Sequence, residues 1–550
     1  MEAGFSRMNE LTVTQASQGL CQYVQATVPD AVARGVVIGH DHRHHSRAFA
    51  ECTATAFLRQ GFRVHFHEVL VHTPLVPFAV KQLGAACGVM ITASHNPKAD
   101  NGYKVYWANA SQIIPPHDSG IAQAIAANQA PWGPRLSRDE IIHHARCQVI
   151  SRSMTEAYFK QVATLASHLE ANPTTSLRFV YTPMHGVGTP YAEQAFAAFN
   201  LPPFVTVPEQ ASPDPDFPTV KFPNPEEKGA LDLAMATASS HQIRLVLAND
   251  PDADRFALAE CQPNGEWIVF TGDQIGTMLA HYVVTQTKAT NPVSKPLAIL
   301  NSTVSSKMLA ALARKEGIHY EDTLTGFKWL GNRALALDEE GYNAIFAYEE
   351  ALGYMMGSVV PDKDGVTALA LMAEMACQLH EQNLTISQHM EQLYERYGYF
   401  VSGNGYYVCH NPAVIKKAFA AIRFGETERS VDRFYFQVRE GEPALRYPKQ
   451  LGLARVVGIR DLTYGFECPN LDLLTTLEGV DTTPKLPTSA GSEMITFTFD
   501  NQCTLTLRTS GTEPKIKYYL EGSGTSRDAV QACVDEMRGL IPIELLRLDT

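Results

Sequence analysis

Short apolar runs typical of β-strands alternate with helical stretches along most of this 550-residue chain. Residues 35–39 form such a run, a helical stretch covers 47–60, and a second run follows at 63–66. The alternation recurs near 177–181, 244–248, 297–300 and 344–347. Strands that alternate with helices build βαβ units, because each helix returns the chain to the side on which the next strand begins. The pattern predicts an α/β protein with parallel or mixed sheets.

Breaks in this pattern divide the chain. Pro- and Asn-rich segments near 171–173 and 208–225, and a Gly-Asn-Gly stretch at 403–405, interrupt the periodic stretches. A chain of 550 residues holds about three or four domains of ordinary size. We predict domains at 1–165, 166–272, 273–402 and 403–550.

The charge balance argues against one class of partner. The chain has 45 Lys and Arg residues against 58 Asp and Glu residues, a net charge of −13. Nucleic-acid binding depends on a basic face that releases counterions, so we expect no nucleic-acid partner. An anionic small substrate would need local cationic pockets.

Neither a membrane nor an oxidising compartment is indicated. No apolar run reaches about 18 residues, the length that a spanning helix needs, and residues 1–7 lack the hydrophobic core of a signal peptide. The ten cysteines are scattered without a CxxC pair, so neither a zinc site nor a disulfide framework is indicated. We expect a cytoplasmic protein without a membrane partner, and the sequence leaves its oligomeric state open.

A serine follows the apolar run at 88–91, within the pentapeptide Ala-Ser-His-Asn-Pro at 93–97. The hydroxyl of this residue, Ser94, would carry a phosphoryl group if nearby groups activate it. The alternative is a plain turn before Pro97, in which Ser94 or Asn96 supplies a local hydrogen bond. The pentapeptide on its own is compatible with both.

Three aspartates follow the predicted buried strand at 244–248. Asp250, Asp252 and Asp254 alternate along the chain, so their side chains face the same way in an extended segment. Carboxylate oxygens are ligands that Mg²⁺ prefers, and a phosphoserine oxygen would complete the set. A plain acidic turn is the alternative.

An EF-hand loop also opens with alternating acids, but it does not fit here. It needs glycine at its sixth position and a bidentate glutamate at its twelfth. This chain has Arg255 and Cys261 at those positions. The EF-hand is therefore excluded.

The pentapeptide and three motifs downstream of it resemble, in the same order, the motifs of the α-D-phosphohexomutases, the phosphoglucomutase and phosphomannomutase superfamily. The resemblance covers essentially the whole chain. It implies four domains, three of them similar and of mixed α/β type, and the fourth a smaller α+β domain. In chain order these domains would hold the phosphoserine, the metal ion, the sugar and a phosphate group.

The resemblance also assigns roles near the serine. Ser94 would carry the phosphoryl group and bind the metal ion together with the three aspartates. His95 and Lys104 match family positions near the reacting hydroxyl, where they would transfer a proton or stabilise charge. Arg255 would lie beside the phosphoserine, because a guanidinium can bridge two phosphate oxygens.

The segments at 323–329 and around Glu349 and Glu350 resemble the family's sugar-recognition segments. The resemblance makes these carboxylates acceptors for sugar hydroxyls, which excludes analogues that lack the hydroxyls. Ala351 stands where hexose-directed relatives commonly have serine, and with 362–365 it resembles the phosphopentomutase-like (phosphoribomutase) branch. Taken alone, the glutamates also fit an exposed helix start, where the helix dipole favours acids. The candidate substrate-binding residues here are Thr325, Gly326, Lys328, Glu349 and Glu350.

Two strand-like runs at 503–507 and 516–520 flank a polar loop. The loop has an arginine, hydroxyl groups and a glycine that exposes backbone amides, a composition suited to an anion. It resembles the family's loop for the phosphate that is not transferred, and a plain hairpin turn is the alternative. The candidate residues are Arg508, Ser510, Gly511, Thr512 and Lys515.

A histidine-rich segment at 40–45 suggests a transition-metal site. Its spacing after the run at 36–38 instead fits the family's Asp-x-Arg-x-x-Ser turn, with Asp41, Arg43 and Ser46. We favour the turn, because clustered histidines without a matched ligand set are usually surface composition.

One family segment is not found in the sequence. Relatives have an upstream Gly-Thr-Ser/Ala-Gly-Leu-Arg segment whose arginine approaches the phosphoserine, whereas residues 3–9 here resemble the stretch immediately downstream of that segment. We expect either that the sequence begins late in its gene or that the protein lacks a strand and an arginine. The first predicted domain is N-terminally incomplete in both cases.

The resemblance, taken with these residues, implies a Mg²⁺-dependent phosphosugar mutase. Phosphate would move between C1 and the terminal hydroxyl of ribose, deoxyribose or glucose, with phospho-Ser94 as donor and a sugar bisphosphate as intermediate and activator. A sugar-bisphosphate synthase on the same scaffold and an inactive sugar-phosphate-binding protein remain open as alternatives. The sequence has no Walker A pattern and no complete dinucleotide fingerprint, so ATP and NAD chemistry are not supported.

Overall fold

The structure, a computed structural model, describes residues 1–290, 295–425, 432–437, 443–471, 481–510 and 515–546. The chain forms two compact units. The first consists of Met1–Ser305 with Glu316–Met390, and the second of Ser306–Lys315 with Glu391–Thr550. No helix within the described ranges has both the length and the apolar character needed to cross a membrane.

The first sheet is built from residues 36–149 and has parallel strands at its centre. The elements up to residue 162 are α1 (Glu10–Thr27), α2 (Ala31–Arg34), β1 (Val36–His40), α3 (Ser46–Arg59), β2 (Val64–Phe66), α4 (Leu75–Leu83), β3 (Cys87–Ile91), β4 (Tyr103–Tyr106), α5 (His117–Ala127), α6 (Arg138–Ile142), β5 (Cys147–Val149) and α7 (Ser151–Val162). The strand order is β4-β3-β1-β2-β5, and β4 is antiparallel to β3. All residues of β1 and β3 are buried, as expected for apolar strands covered on both faces.

This strand order places two loops side by side. The chain continues from β1 to β2 on one side, whereas β3 pairs with β1 on the other side. The carboxyl ends of β1 and β3 meet, because His40 pairs with Ile91. Ligands of open α/β sheets bind at such a switch point. The serine loop and the turn after β1 both begin there.

The second sheet places the aspartate loop between two of its strands. Short 3₁₀ turns at Ala163–Leu165 and Asn172–Thr174 lead to β6 (Val180–Thr182), α8 (Thr189–Ala198), β7 (Val205–Thr206), α9 (Asp232–Ser240), β8 (Leu245–Asn249), β9 (Phe256–Cys261) and β10 (Trp267–Val269). The order is β10-β9-β8-β6-β7, with β8 parallel to β6 and antiparallel to β9. The loop that joins β8 to β9 contains the three aspartates.

The third sheet follows a long helix. The elements are α10 (Gly272–Thr290), β11 (Leu297–Ser302), α11 (Met308–Glu316), β12 (His319–Thr323), α12 (Phe327–Glu339), β13 (Asn343–Glu349), β14 (Gly353–Met356), α13 (Gly365–Glu381) and α14 (Ile386–Tyr397). The order is β12-β11-β13-β14, with β12 and β13 parallel to β11 and β14 antiparallel to β13. The two predicted sugar segments lie at the carboxyl ends of β12 and β13.

The fourth sheet belongs to the second unit and is antiparallel. The elements are β15 (Tyr399–Ser402), β16 (Gly405–Val408), α15 (Pro412–Phe424), β17 (Gln450–Leu451), β18 (Ala454–Asp461), β19 (Phe466–Cys468), β20 (Met494–Phe499), β21 (Cys503–Thr509), β22 (Lys515–Gly524) and α16 (Arg527–Leu540), followed by a π-helical turn at Ile541–Leu545. The main order is β15-β22-β21-β20-β18-β17. Apolar residues of the central strands form the core, among them Phe497, Leu505 and Ile516.

This architecture confirms the predicted fold class, with three mixed α/β sheets followed by a β-rich part that also contains helices. The helix predicted over 47–60 is α3. The domain limits proposed at 165, 272 and 402 stay predictions.

A buried carboxylate on α13 joins separate parts of the first unit. Glu374 has no exposed surface. It accepts hydrogen bonds from the amides of Ser167 and His168, from the Asn172 side chain at 2.9 Å and from the Tyr282 hydroxyl at 2.8 Å. These donors lie on the segment before β6 and on α10. Because buried donors are costly to leave unpaired, Glu374 stabilises the packing of these segments against α13.

We predict that Glu374→Ala lowers the free energy of unfolding by about 2–4 kcal/mol, because two buried donors, on Asn172 and Tyr282, and two half-buried backbone amides lose their acceptor. Thermal unfolding followed by calorimetry measures this effect. Glu381→Ala is the control, since Glu381 is exposed at the end of the same helix. Equal losses of stability in the two variants would contradict the prediction.

Candidate active site

Ser94 occupies a strained position just beyond the carboxyl end of β3. Its φ angle is 52°, in the left-handed region that residues other than glycine rarely adopt. Its amide donates to the hydroxyl oxygen of Thr92 at 2.9 Å. Its own hydroxyl donates to Oδ2 of Asp250 at 2.8 Å. The turn thus aims the serine at the aspartate loop.

The three aspartates converge as the alternation predicts. Asp250, Asp252 and Asp254 are fully buried. Each offers one carboxylate oxygen to a group whose members lie within 4.8 Å of one another. A tight turn at Ala253, with a φ of 52°, shapes the loop between β8 and β9. The backbone amide of Thr73, in the segment between β2 and α4, donates to the Asp252 carbonyl at 2.9 Å and so holds the loop.

The carboxylate oxygens of this loop that have no hydrogen-bond partner in the described structure fit a divalent cation. Oδ1 of Asp252 and Oδ1 of Asp254 are buried and have no hydrogen-bond partner among the described residues. Buried carboxylate oxygens without partners are costly, and a hard cation with oxygen ligands would satisfy them. Among the described residues, this is the one group of three or more His, Cys, Asp or Glu side chains placed to share an ion. A metal site at the histidine-rich segment 40–45 therefore receives no support.

Lys104 compensates part of the negative charge. It lies on β4, and its Nζ is 2.8 Å from Oδ2 of Asp252 and 2.7 Å from Oδ2 of Asp254. Burial opposes its charge, but the two carboxylates prevail and raise the pKa of Lys104 above its ordinary value. Burial likewise opposes ionisation of Asp252, yet Lys104 prevails and holds the pKa of this carboxyl below its ordinary value. Lys104 is therefore an ammonium ion here.

Asp250 behaves differently from its neighbours. Burial, and then the charges of Asp252 and Asp254, raise the pKa of Asp250 well above its ordinary value. Its nearest cationic group is Arg255, whose Nε lies 4.0 Å from Oδ2 of Asp250. Asp250 therefore lacks the close cationic partner that Asp252 and Asp254 have, and a bound cation would supply the missing positive charge.

Sequence reasoning missed a second lysine, Lys363. Its Nζ lies 3.2 Å from Oδ2 of Asp254, and its side chain is only 8% exposed. Burial opposes its charge, but Asp254 prevails and raises the pKa of Lys363. The sequence pattern marks the 362–365 segment only as a feature of the branch. A lysine between two acids directly before the N-terminus of α13 was the available signal.

His95 and Arg255 flank the serine. Nδ1 of His95 is 3.4 Å from Oγ of Ser94. Burial, reinforced by Arg255, lowers the pKa of His95 well below its ordinary value, so its ring is neutral. The side chain of Arg255 is 13% exposed, and its backbone amide donates to Oδ1 of Asp250 at 3.0 Å.

An open cavity of about 370 Å³ connects these groups with part of the sugar-recognition segments. The predicted site residues that line it are Ser94, His95, Lys104, Arg255, Gly326, Lys328 and Glu349, and Lys363 joins them. The cavity lies entirely within the first unit. The three aspartates adjoin the residues that line it, since Asp250 accepts the hydrogen bond from Ser94 while Asp252 and Asp254 accept from Lys104.

The two predicted glutamates have different surroundings. Glu349 lines the cavity, and burial raises its pKa to about 7. Glu350 accepts hydrogen bonds from the hydroxyls of Ser302 at 3.0 Å and Ser305 at 3.1 Å, so one of its oxygens is already engaged. Neither Glu350 nor Thr325 is among the residues described as lining the cavity. Their roles in sugar binding stay predictions.

The predicted phosphate loop belongs to the second unit. β21 ends at Thr509, directly after Arg508, and β22 begins at Lys515. The guanidinium of Arg508 donates to the Tyr519 hydroxyl at 3.1 Å. The amide of Ser510 donates to the Lys515 carbonyl at 3.0 Å, as in a hairpin. The two remaining candidates lie outside the described residues: Gly511 and Thr512. The binding role of the loop stays a prediction.

Three stretches of the chain match the domains of one protein family. Residues 1–132 match "Phosphoglucomutase/phosphomannomutase, alpha/beta/alpha domain I", residues 156–262 match domain II, and residues 271–397 match domain III. Relatives and a solved structure extend the similarity.

The phosphopentomutase of Homo sapiens is 46% identical over 532 residues, which are 95% of this chain and 83% of the relative.

The glucose 1,6-bisphosphate synthase of Homo sapiens is 40% identical over 548 residues, which are 98% of this chain and 84% of the relative. The structure of pp63/parafusin (phosphoglucomutase) from Paramecium, in its open form, has a TM-score of 0.66 at 16% identity and covers 96% of this chain and 91% of its own. At that identity the structural similarity bears on the fold alone.

We predict that Asp252→Asn raises the dissociation constant for Mg²⁺ by about tenfold or more, because a neutral amide removes one negative charge from the ligand group. Isothermal titration of the full chain with Mg²⁺ measures this constant. Asp216→Asn is the control, since Asp216 is 57% exposed and pairs only with surface groups, Lys98 and His44, in the described contacts. An unchanged titration of Asp252→Asn would make the loop an ordinary buried acidic turn.

Proposed function

The chain belongs to the phosphoglucomutase/phosphomannomutase family, in the phosphopentomutase-like branch of the α-D-phosphohexomutases, and is a phosphosugar mutase; we propose that it moves phosphate between C1 and the terminal hydroxyl of an aldose. The substrates would be ribose or deoxyribose 1-phosphate, converted to the 5-phosphate, and glucose 1-phosphate, converted to the 6-phosphate. The observation that supports this most is the hydrogen bond from Ser94 to Asp250 at the base of the cavity.

Ser94 is the proposed phosphoryl carrier. The bond between its oxygen and phosphorus breaks as the sugar hydroxyl forms a new bond to the same phosphorus. The hydroxyl loses its proton, and the serine oxygen gains one. His95, whose Nδ1 is 3.4 Å from Oγ of Ser94, would hold that proton and return it. The return of the other phosphate of the bisphosphate to Ser94 reverses these changes.

Asp250, Asp252, Asp254 and an oxygen of phospho-Ser94 are the proposed ligands of Mg²⁺. The ion would supply positive charge that neutralises the transferring phosphoryl group. The chain's own cations act beside it. Lys104 and Lys363 balance the buried carboxylates. Arg255, which lies 3.8 Å from Glu226 and 4.0 Å from Asp250, would turn its fork towards phosphate oxygens.

The sugar side of the cavity supports a polar substrate. Glu349 is the proposed acceptor for sugar hydroxyls, and the buried surroundings of this carboxylate strengthen such hydrogen bonds. Lys328 would hold a phosphate or hydroxyl group at the cavity rim, and Arg508 with the 508–515 loop would bind the phosphate that is not transferred. The proposal of a pentose substrate is supported by the phosphopentomutase at 46% identity and by Ala351.

A second candidate is a sugar-bisphosphate synthase, which the bisphosphate synthase at 40% identity favours. Such an enzyme would take phosphate from an external donor and release the bisphosphate. A mutase instead retains the bisphosphate until it has returned one phosphate to the serine, and added bisphosphate activates it. A cytoplasmic location and the absence of nucleic-acid partners stay predictions from the sequence.

We predict that Ser94→Ala lowers turnover of ribose 1-phosphate and glucose 1-phosphate by about 10⁴-fold or more, because it removes the covalent carrier with little change in volume. Coupled assays with and without bisphosphate measure turnover, and mass spectrometry should find phosphate on Ser94 of the wild type. Ser119→Ala, at an exposed position on α5, is the matched control. Near-wild-type turnover in Ser94→Ala would exclude the phosphoserine mechanism.

We also predict a pH dependence from Glu349, whose pKa burial raises to about 7 from an ordinary value of 4.5. A carboxylate accepts hydrogen bonds better than a carboxylic acid, so kcat/KM should rise as the pH increases through about 7. Glu349→Gln should remove this limb of the profile. If the pH profiles of kcat/KM had the same shape in Glu349→Gln and the wild type, the assignment of this limb to Glu349 would be wrong.

The same shift has a consequence for stability. A folded pKa above the unfolded value means that the folded state holds the proton more tightly, so the contribution of Glu349 to stability falls as the pH rises from 4.5 to about 7. We expect the difference in thermal midpoint between Glu349→Gln and the wild type to shift in favour of the variant as the pH rises over this range.

A further inference from the structure

Arg43 lies behind the serine loop, in the turn between β1 and α3. Its side chain has no exposed surface. Nη2 donates to the carbonyl of Ser94 at 2.5 Å and to that of Asn96 at 2.6 Å. Nη1 donates to the carbonyl of Pro97 at 2.9 Å and to that of Asp100 at 3.3 Å. One guanidinium therefore bonds to four carbonyls of the loop.

Other contacts hold Arg43 itself in place. Its Nε lies 3.3 Å from Oδ2 of Asp41. Oδ1 of Asp41 accepts from the Arg43 amide at 3.0 Å and from the Ser46 hydroxyl at 2.6 Å. The ring of Phe217 covers the guanidinium, with Cζ 5.1 Å from the ring centroid. The Asp-x-Arg-x-x-Ser turn and Phe217 therefore hold the arginine through contacts that do not involve the serine loop.

The strand order explains why these two loops meet. β1 and β3 are parallel neighbours, and the turn that holds Arg43 leaves β1 where the serine loop leaves β3. Asn101, at the far end of the serine loop, also bonds to the carbonyl of His44 at 2.8 Å. The turn thus holds the loop along its length.

We propose that Arg43 is a positioning residue for the phosphoryl carrier. It keeps four carbonyls turned away from the cavity and so holds Ser94 in the left-handed conformation that aims its hydroxyl at Asp250. Arginine is suited to this task because its planar group carries five N–H donors in a fixed fork and stays charged. The inference rests on the proposed phosphoserine mechanism for its effect on turnover, although the clamp itself is measurable without it.

Arg43 does not bind the substrate in this arrangement. Four of its five donors are used by the loop, and the fifth faces Asp41. A residue of this kind affects the orientation of the reacting group more than the capture of substrate. Its loss should lower kcat far more than it raises KM, since small displacements of a reacting atom cost about 100-fold in rate.

The experiment compares Arg43→Ala and Arg43→Lys with Arg47→Ala, an exposed arginine four positions further on, in α3. We expect kcat to fall about 100-fold in Arg43→Ala, with KM changed less than about threefold. Lysine keeps the charge but not the fork, so Arg43→Lys should recover only a small part of the rate. Arg47→Ala should match the wild type.

Chemical rescue separates positioning from a general structural role. Guanidinium chloride at about 50 mM, far below the molar concentrations that unfold proteins, should raise kcat of Arg43→Ala about tenfold, whereas equal sodium or ammonium chloride should not. Hydrogen exchange should show faster exchange in residues 94–101 of Arg43→Ala, with the other strands of the first sheet unchanged. Thermal unfolding shows whether each variant folds. If Arg43→Ala does not fold, kcat and hydrogen exchange are compared between Arg43→Lys and the wild type.

The outcomes distinguish this inference from the proposed function. If the wild type shows no turnover on either sugar phosphate, the proposed function fails, while hydrogen exchange still tests the clamp. If the wild type is active and Arg43→Ala keeps its kcat, or its exchange at 94–101 is unchanged, the positioning role is overturned. A rate recovered equally by guanidinium and by ammonium would also overturn it, because charge alone would then suffice.

Discussion

Three buried carboxylates in one short loop form the constraint on which the first unit depends. Asp250, Asp252 and Asp254 have no exposed surface, and a buried charge without compensation costs several kcal/mol. The compensating cations come from elsewhere in the unit, Lys104 from the first sheet and Lys363 from the segment before α13. The charge compensation of the loop therefore comes from parts of the chain that are distant in sequence. The lysines satisfy one oxygen of Asp252 and one of Asp254, and the free oxygens form the proposed metal site.

The serine loop is held from both sides by the same kind of interaction. In front, Ser94 donates to Asp250, and behind, Arg43 bonds to the loop carbonyls. A left-handed serine is unfavourable by itself, so it persists only where the surroundings determine it. In the proposed mechanism, metal binding and phosphoryl transfer would thus depend on a turn from β1 that forms no hydrogen bond or ion pair with the aspartate loop in the described contacts. In that mechanism, such preorganisation would lower the barrier to transfer.

Glu349 and Glu350 show how neighbouring residues of one type acquire different properties. Burial raises the pKa of Glu349 to about 7 at the cavity, whereas the hydroxyls of Ser302 and Ser305 engage the carboxylate of Glu350. Environment, not residue type, separates the two. A phosphopentomutase and a glucose 1,6-bisphosphate synthase are both similar to most of this chain. In the proposed function, the choice of substrate would therefore depend on such details around the candidate site.

Local sequence patterns determined the fold class and part of the candidate site. The alternation of strands and helices predicted the α/β class, and the spacing of Asp250, Asp252 and Asp254 predicted their convergence, because both depend on near neighbours in the chain. The tertiary structure alone decided which cations meet these acids and which carbonyls meet Arg43. Lys363 stands more than 100 positions from Asp254 in the sequence, and the arginine clamp requires β1 and β3 to be adjacent. Such contacts are set by the order of strands in a sheet, which no local pattern encodes.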